Sequence, residues 1–286
     1  LLNAQSGPAP AHTRLSSGTA SIAMGNRLSL GWRLGAACCG DYSHPVQALE
    51  LAGMAKGGPM KLEEIEARAA GLALPDGLDL RVVDGRLTLR GGGMELAEDF
   101  CELLPRLRYD RLGRELLVKA ARVRGVESPA VVDATAGLGE DSLLLAAAGT
   151  TVTMCESDPV IALLLADALR RAAGDPQLSG IVSRMTLVEA DSVVVLGGLT
   201  EPPDVVYLDP MFPSRTKSAA VKKKFQLLHR LEAPCEDQDR LMAAALASDP
   251  RKVVVKRPVK APILAGVKPS HSIAGKAVRF DVIARR

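Results

Sequence analysis

The sequence predicts an α/β fold with a mostly parallel sheet, an antiparallel C-terminal strand and a small N-terminal α/β appendage. Three observations lead there. From residue 130 onward, short apolar runs alternate with helical patterns, the signature of βαβ units. Gly149 and Pro159 stand where one helix should stop and the next should start. The hydrophobic share of 47% fills a core for 286 residues, and with aromatics at only 3% that core must rest on Leu, Val, Ile and Ala.

Taken in order, residues 1–60 read as a poorly structured tail, residues 61–125 as the α/β lead-in and residues 126–286 as the main domain. Residues 1–40 carry Arg14, Arg27 and Arg33 and no acid before Asp41. A disordered tail is the first reading, an organellar transit segment the second, and translated upstream sequence a third. Residues 61–73 show helical spacing of Leu62, Ile65 and Ala69. Residues 78–90 alternate about Asp84-Gly85, a hairpin signal. Gly91 to Gly93 punctuate, and a helix follows over roughly residues 112–123. In the main domain the strands are VVDAT, TVTMC, MTLVEA, DVVYLDP, RKVVVKRP and VRFDVIA. The helices are DSLLLAAAG, PVIALLLADALRRAAG and KSAAVKKKFQLLHRL. Ligands of such sheets lie beyond the carboxyl ends of the strands, so strand ends are where function should be read.

Composition narrows the function classes. The five cysteines, Cys38, Cys39, Cys101, Cys155 and Cys235, form no zinc spacing, and free thiols in a reducing compartment are expected. No apolar run is long enough for a membrane span. Net charge is +3, which decides little, but its placement is uneven. Lys217, Lys222, Lys223 and Lys224 cluster, and beyond Arg251 the only acid is Asp281. Such patches suit a phosphate-bearing partner, or are simply solvated faces.

The first strand runs into Asp133-Ala134-Thr135-Ala136-Gly137-Leu138-Gly139, and Glu140 and Asp141 open the next helix. Asp133, Gly137 and Gly139 are candidates here, since glycine lets backbone approach a nucleoside closely. A dinucleotide fingerprint needs a third glycine where this chain has Ser142, which argues for an adenosine ligand other than NAD. The second strand ends at Glu156-Ser157, 17 residues beyond Gly139, where a carboxylate can accept from ribose hydroxyls. The third ends at Asp191-Ser192, an acid placed to accept from an adenine amino group. This is the layout of a Rossmann-like class I methyltransferase sheet that binds S-adenosylmethionine (SAM).

The fourth strand ends in Asp209-Pro210-Met211-Phe212-Pro213. An amine on a base is a poor nucleophile because its lone pair is delocalised into the ring. The Asp209 carboxylate and a neighbouring carbonyl can accept its two protons and aim the nitrogen at a methyl donor. Pro210 stiffens the loop and Phe212 can stack on the base. The segment resembles the [D/N/S]-P-P-[Y/F] motif of amino-group methyltransferases, with Met211 in place of the second proline. With VVDATAGLGEDS, VVYLDPMFP, KSAAVKKK and RKVVVKRP, the chain resembles, from about Leu78 onward, bacterial small-subunit (16S) ribosomal RNA guanine-N2 methyltransferases of the RsmJ type.

The resemblance implies SAM contacts from Glu140-Asp141, Glu156-Ser157, Asp191-Ser192 and Asp209. This chain departs from the family pattern at Glu140 and Ser157, where Arg is expected, and at Asp191, where Ser is expected; residues 1–60 have no counterpart. It implies methyl transfer to the exocyclic N2 of a guanosine in ribosomal RNA or the small ribosomal subunit, in the cytoplasm, or in an organelle if residues 1–40 direct import. No metal and no membrane are expected. Lys217, Lys222, Lys223, Lys256 and Arg257 should ring the pocket and meet RNA phosphates, with Arg106, Arg108 and Arg111 extending the rim. Two alternatives stay open: an amino methyltransferase acting on adenine-N6 or a protein glutamine, and a SAM- or RNA-binding module without turnover.

Overall fold

Seven strands form the main sheet of the computed structural model, which describes residues 59–210, 226–228, 230–231 and 237–285. They are β4 (Ala130–Asp133), β5 (Thr151–Glu156), β6 (Met185–Glu189), β7 (Val205–Leu208), β8 (Lys252–Pro258), β9 (His271–Ala274) and β10 (Val278–Ala284). Their spatial order is β6-β5-β4-β7-β8-β10-β9. Strands β4 to β8 pair in parallel, while β10 is antiparallel to both β8 and β9. The order reverses between β5 and β7, on either side of β4, which opens a crevice at their carboxyl ends.

The central strands are buried on both faces, so their apolar runs are continuous. The two-residue period of the strand still sorts them. Val131, Val152, Met154, Val205, Tyr207 and Val254 face one core, with the helices Glu140–Ala147 and Pro159–Ala173. Val132, Cys155, Val206, Leu208, Val253 and Val255 face the other, with the helices Ser192–Gly197 and Gln238–Ala247.

The lead-in is a three-stranded antiparallel sheet, β1 (Leu78–Val83), β2 (Arg86–Gly91) and β3 (Met94–Leu96), beside the helix Leu62–Gly71. Asp84 and Gly85 both have positive φ, 49° and 74°, as a two-residue type I′ turn requires. Gly92 and Gly93 repeat this at 57° and 71°, so the glycine run makes a second hairpin as well as a break.

The helix Pro159–Ala173 joins lead-in to sheet. Asp158 caps it, accepting from the Val160 and Ile161 N–H groups at 2.9 and 3.0 Å. Leu165, Ala168 and Ala172 pack toward the main sheet, while Val160, Ile161, Leu163 and Leu164 pack toward Leu87 and Leu89 of the lead-in. A helix covered on both sides is apolar nearly all round, as PVIALLLADAL is. Its one buried acid is Asp167, which accepts from the Leu87 N–H at 3.0 Å, Arg170 Nε at 3.1 Å and Arg171 Nε at 2.9 Å. Arg170 also donates to the Gly85 carbonyl at 2.7 Å, so the pair clasps the hairpin.

Several expectations change. The helix expected over residues 112–123 is two pieces, Tyr109–Leu112 and Leu116–Ala121, broken at Gly113. His271–Ala274 forms an edge strand, β9, which the sequence pattern does not announce. The helices Gln238–Ala247 and Ser192–Gly197 had gone unread. The helix expected over residues 217–231 falls mostly outside the described residues. Among the described residues no helix is long and apolar enough to cross a membrane.

Replacing Asp167 by Ala strands two half-buried guanidinium groups and one backbone N–H. We predict a loss of about 3 kcal/mol of unfolding free energy in urea titration. A loss below about 0.5 kcal/mol would show that the clasp contributes nothing.

Candidate active site

The carboxyl ends of β4, β5, β6, β7 and β8 border a cleft of about 1000 Å³. That is large enough for a nucleoside with room for a second planar group. Asp133, Gly137, Gly139, Glu140, Asp141, Glu156, Ser157, Asp191, Ser192, Asp209, Pro210 and Lys256 all line it. Phe212, Lys217, Lys222 and Lys223 lie outside the described residues.

The floor is the turn from β4 into the helix Glu140–Ala147. Gly137 and Gly139 have φ of 52° and 79°, in the left-handed region. A Cβ on Gly139 would stand 2.7 Å from Leu165 Cδ1, whereas one on Gly137 would meet nothing. Gly139 therefore lets the helix pack, and Gly137 keeps the cleft clear. The buried Asp133 carboxylate accepts from Ser142 Oγ at 2.6 Å and the Thr135 N–H at 3.1 Å. Burial, opposed by these two bonds, still lifts its pKa to about 7.

On the next strand, Glu156 accepts from the Gly137 and Asp158 N–H groups at 2.9 and 2.8 Å. Burial holds it above the ordinary carboxylate value against those bonds. Each oxygen carries one of these bonds and retains a lone pair, and the residue lines the cleft, as acceptance from a ribose diol requires. Asp191 caps the helix Ser192–Gly197 through the Val193 N–H at 2.8 Å, and Arg240 lies 3.7 Å from its other oxygen.

The densest contacts join β4, β7 and β8. Lys256 Nζ lies 2.7 Å from Asp141 Oδ2 and 2.9 Å from Asp209 Oδ2. The buried Tyr207 hydroxyl donates to Asp141 Oδ2 at 2.6 Å. The Asp209 N–H donates to Thr135 Oγ1 at 2.6 Å, which anchors the backbone just before Pro210. Burial would lower Lys256, but the two carboxylates more than reverse it, so the ammonium is held above its ordinary value. Burial raises Asp209, with Lys256 opposing.

Two of the expected basic residues sit differently from each other. Lys256 lines the cleft as expected, with its ammonium engaged by Asp141 and Asp209. Arg257 is only 1% exposed and donates from Nε and Nη2 to the Pro262 carbonyl at 3.0 and 2.7 Å. Strand alternation explains the pair, since neighbours on β8 point to opposite faces. Thr135 and Tyr207 were missed as site residues. Their partners lie 74 and 66 positions away, and no local pattern signals such pairs.

Arg106, expected at the rim, is gripped by Glu115 through Nε at 3.0 Å and Nη2 at 2.9 Å. That bond, reinforced by the fields of Asp141 and Glu140, holds it above its ordinary value and marks it as a neighbour of the cleft.

A family model described as "Putative SAM-dependent methyltransferase" matches residues 77–285. A curated protein of Thioalkalivibrio sulfidiphilus, ribosomal RNA small subunit methyltransferase J, is 42% identical over 82% of this chain and 88% of its own length. The Pseudomonas fluorescens protein of that name is 40% identical over 77% and 91%. A crystal structure of a SAM-dependent methyltransferase from Neisseria gonorrhoeae superposes with a TM-score of 0.62 at 32% identity, covering 78% of this chain and 91% of that one.

The raised Asp133 makes a pH prediction. A carboxyl whose folded pKa lies above its unfolded value contributes stability below the unfolded pKa, near 3.8, and loses it as pH climbs through about 7. Asp133→Asn, fixed as neutral, should therefore gain relative to wild type between pH 4 and 7 and level off above. Urea titrations across that range check this, and a difference constant with pH would refute the shift.

Proposed function

Because the chain belongs to the small-subunit ribosomal RNA methyltransferase J family of SAM-dependent methyltransferases, we propose that it methylates the exocyclic N2 of a guanosine in small-subunit ribosomal RNA. The observation that carries the reading is Asp209-Pro210 at the end of β7, in the cleft and held from two sides. The Lys256 ammonium occupies Asp209 Oδ2, and Thr135 fixes the Asp209 backbone. Oδ1 makes no hydrogen bond among the described residues and is left to accept from a flat amine.

When bound, SAM supplies a methyl group made electrophilic by its sulfonium. Glu156 suits its ribose, Asp191 and Ser192 its adenine, and the Gly137 to Asp141 turn its remaining edge. The donor set fits: carboxylates at successive strand ends, and a glycine whose missing side chain keeps the space open. Asp209 accepts a hydrogen bond from one amine N–H and orients the nitrogen lone pair out of the ring. Lys256 favours the ionised carboxylate against burial and holds it in place, and Pro210 restricts the loop that carries the second acceptor. Positioning and hydrogen-bond electrostatics supply the rate. This reading puts the enzyme in the cytoplasm, with the RNA of the small subunit as its partner.

The test is methyl transfer from labelled SAM to small-subunit RNA lacking the modification, followed by digestion to nucleosides. N2-methylguanosine is expected. N6-methyladenosine, or label in protein alone, would overturn the guanine reading. Asp209→Asn should lower kcat about a hundredfold while SAM affinity changes by no more than about threefold. Wild-type kcat in that variant would remove Asp209 from the chemistry.

A further inference from the structure

Of the aromatic residues the structure describes, Phe100, Tyr207 and Phe280 are buried, and Tyr109 is 98% exposed. In a chain so poor in aromatics, an entirely solvated ring stands out against its siblings. It begins the one-turn helix Tyr109–Leu112, directly after the exposed Arg108, and Arg111 and Arg114 follow on the same segment. Arg108 meets Asp110 at 3.3 Å with both side chains more than half exposed, an ion pair that a phosphate can displace at little cost. Arg111 and Arg114 make no ion pair among the described residues.

This segment belongs to the cleft side of the molecule. Arg106, three residues before Tyr109, sits on the turn Leu104–Leu107, which packs against the helix Glu140–Ala147 that opens at the cleft. Leu116, on the other side, lies against Gly275 so closely that a Cβ there would come within 2.8 Å of its Cδ1. Gly275 and the exposed Lys276 form the turn from β9 to β10, next to Val278, which pairs with Pro258 at the carboxyl end of β8. Strand direction therefore brings Lys276 to the end of the sheet where the cleft opens.

We propose that Tyr109 is a stacking platform for an unpaired base of the RNA flanking the target nucleotide, with Arg108, Arg111, Arg114 and Lys276 holding neighbouring phosphates. The inference rests on RNA being the substrate and adds the surface that binds it. A planar ring in water, set among guanidinium groups, suits a single strand: the base stacks on the ring, and the charges follow the backbone. The Asp110 and Glu115 carboxylates on the same segment are already partnered by Arg108 and Arg106.

The test compares wild type, Tyr109→Ala, Tyr109→Phe and the Arg111→Gln/Arg114→Gln double variant. Each is assayed for transfer to unmodified small-subunit RNA, for affinity to that RNA by filter binding, and for SAM affinity. Tyr109→Ala should raise the KM for RNA and weaken RNA binding about tenfold, with kcat and SAM affinity unchanged. Tyr109→Phe, which keeps the ring, should stay within about twofold of wild type. The double variant should flatten the salt dependence of binding. An unchanged KM in Tyr109→Ala overturns the platform while leaving the methylation reading standing. Weaker RNA binding by Tyr109→Ala, together with a wild type that transfers no methyl, supports the platform and sinks the methylation reading instead. Equal losses in RNA and SAM affinity would make Tyr109 structural. A change only in self-association, seen by sedimentation, would assign the surface to a second copy. Either result overturns the proposal.

Discussion

The Lys256 ammonium, set between Asp141 and Asp209, is the interaction on which the cleft depends. Asp133, Asp141, Glu156 and Asp209 all line the cleft at the ends of adjacent strands and the helix turn that follows β4. Like charges brought together where water is scarce repel strongly. The fold answers in two ways. Asp133, deepest of the four, is pushed toward its neutral form and satisfied by a hydroxyl and a backbone N–H. Asp141 and Asp209 instead share a cation. The placement follows from topology: Val255 pairs with Leu208, so the next residue on β8 stands beside the next residue on β7.

Sequence reasoning succeeded where the signal was local. The six strands read in the main domain, the hairpin at Asp84-Gly85, the Pro159 helix start and the acids at successive strand ends are all set within a few residues. It failed where the cause was distant. Lys256 and Arg257 stand side by side in a basic run, and nothing in KRP says that one reaches into the cleft and the other beneath a loop. Burial decides that, and burial depends on β7 and β10 packing on either side of β8. Strand β9 was unread because HSIA is short, exposed and at an edge, where sheet pairing rather than side-chain pattern makes the strand. The helix expected over residues 112–123 ignored Gly113, which splits it.

The lead-in has two jobs on two faces. Its hairpins cover the Pro159–Ala173 helix, and the chain that leaves them, from Phe100 to Ala121, wraps the Glu140–Ala147 helix and reaches the β9–β10 turn. The same connection that completes the core thus delivers arginines to the mouth of the cleft. A catalytic domain of this class has its cofactor contacts built into the sheet, whereas contacts to a large polymer must come from whatever surrounds the opening.

The two-sided burial of PVIALLLADAL has a further implication for how the chain can be divided. A fragment trimmed to the segment that bears every recognisable motif, from β4 onward, would leave Val160, Ile161, Leu163 and Leu164 facing solvent. Such an oily flank invites clumping. The smallest unit able to stand alone therefore extends well upstream of the smallest unit able to be recognised.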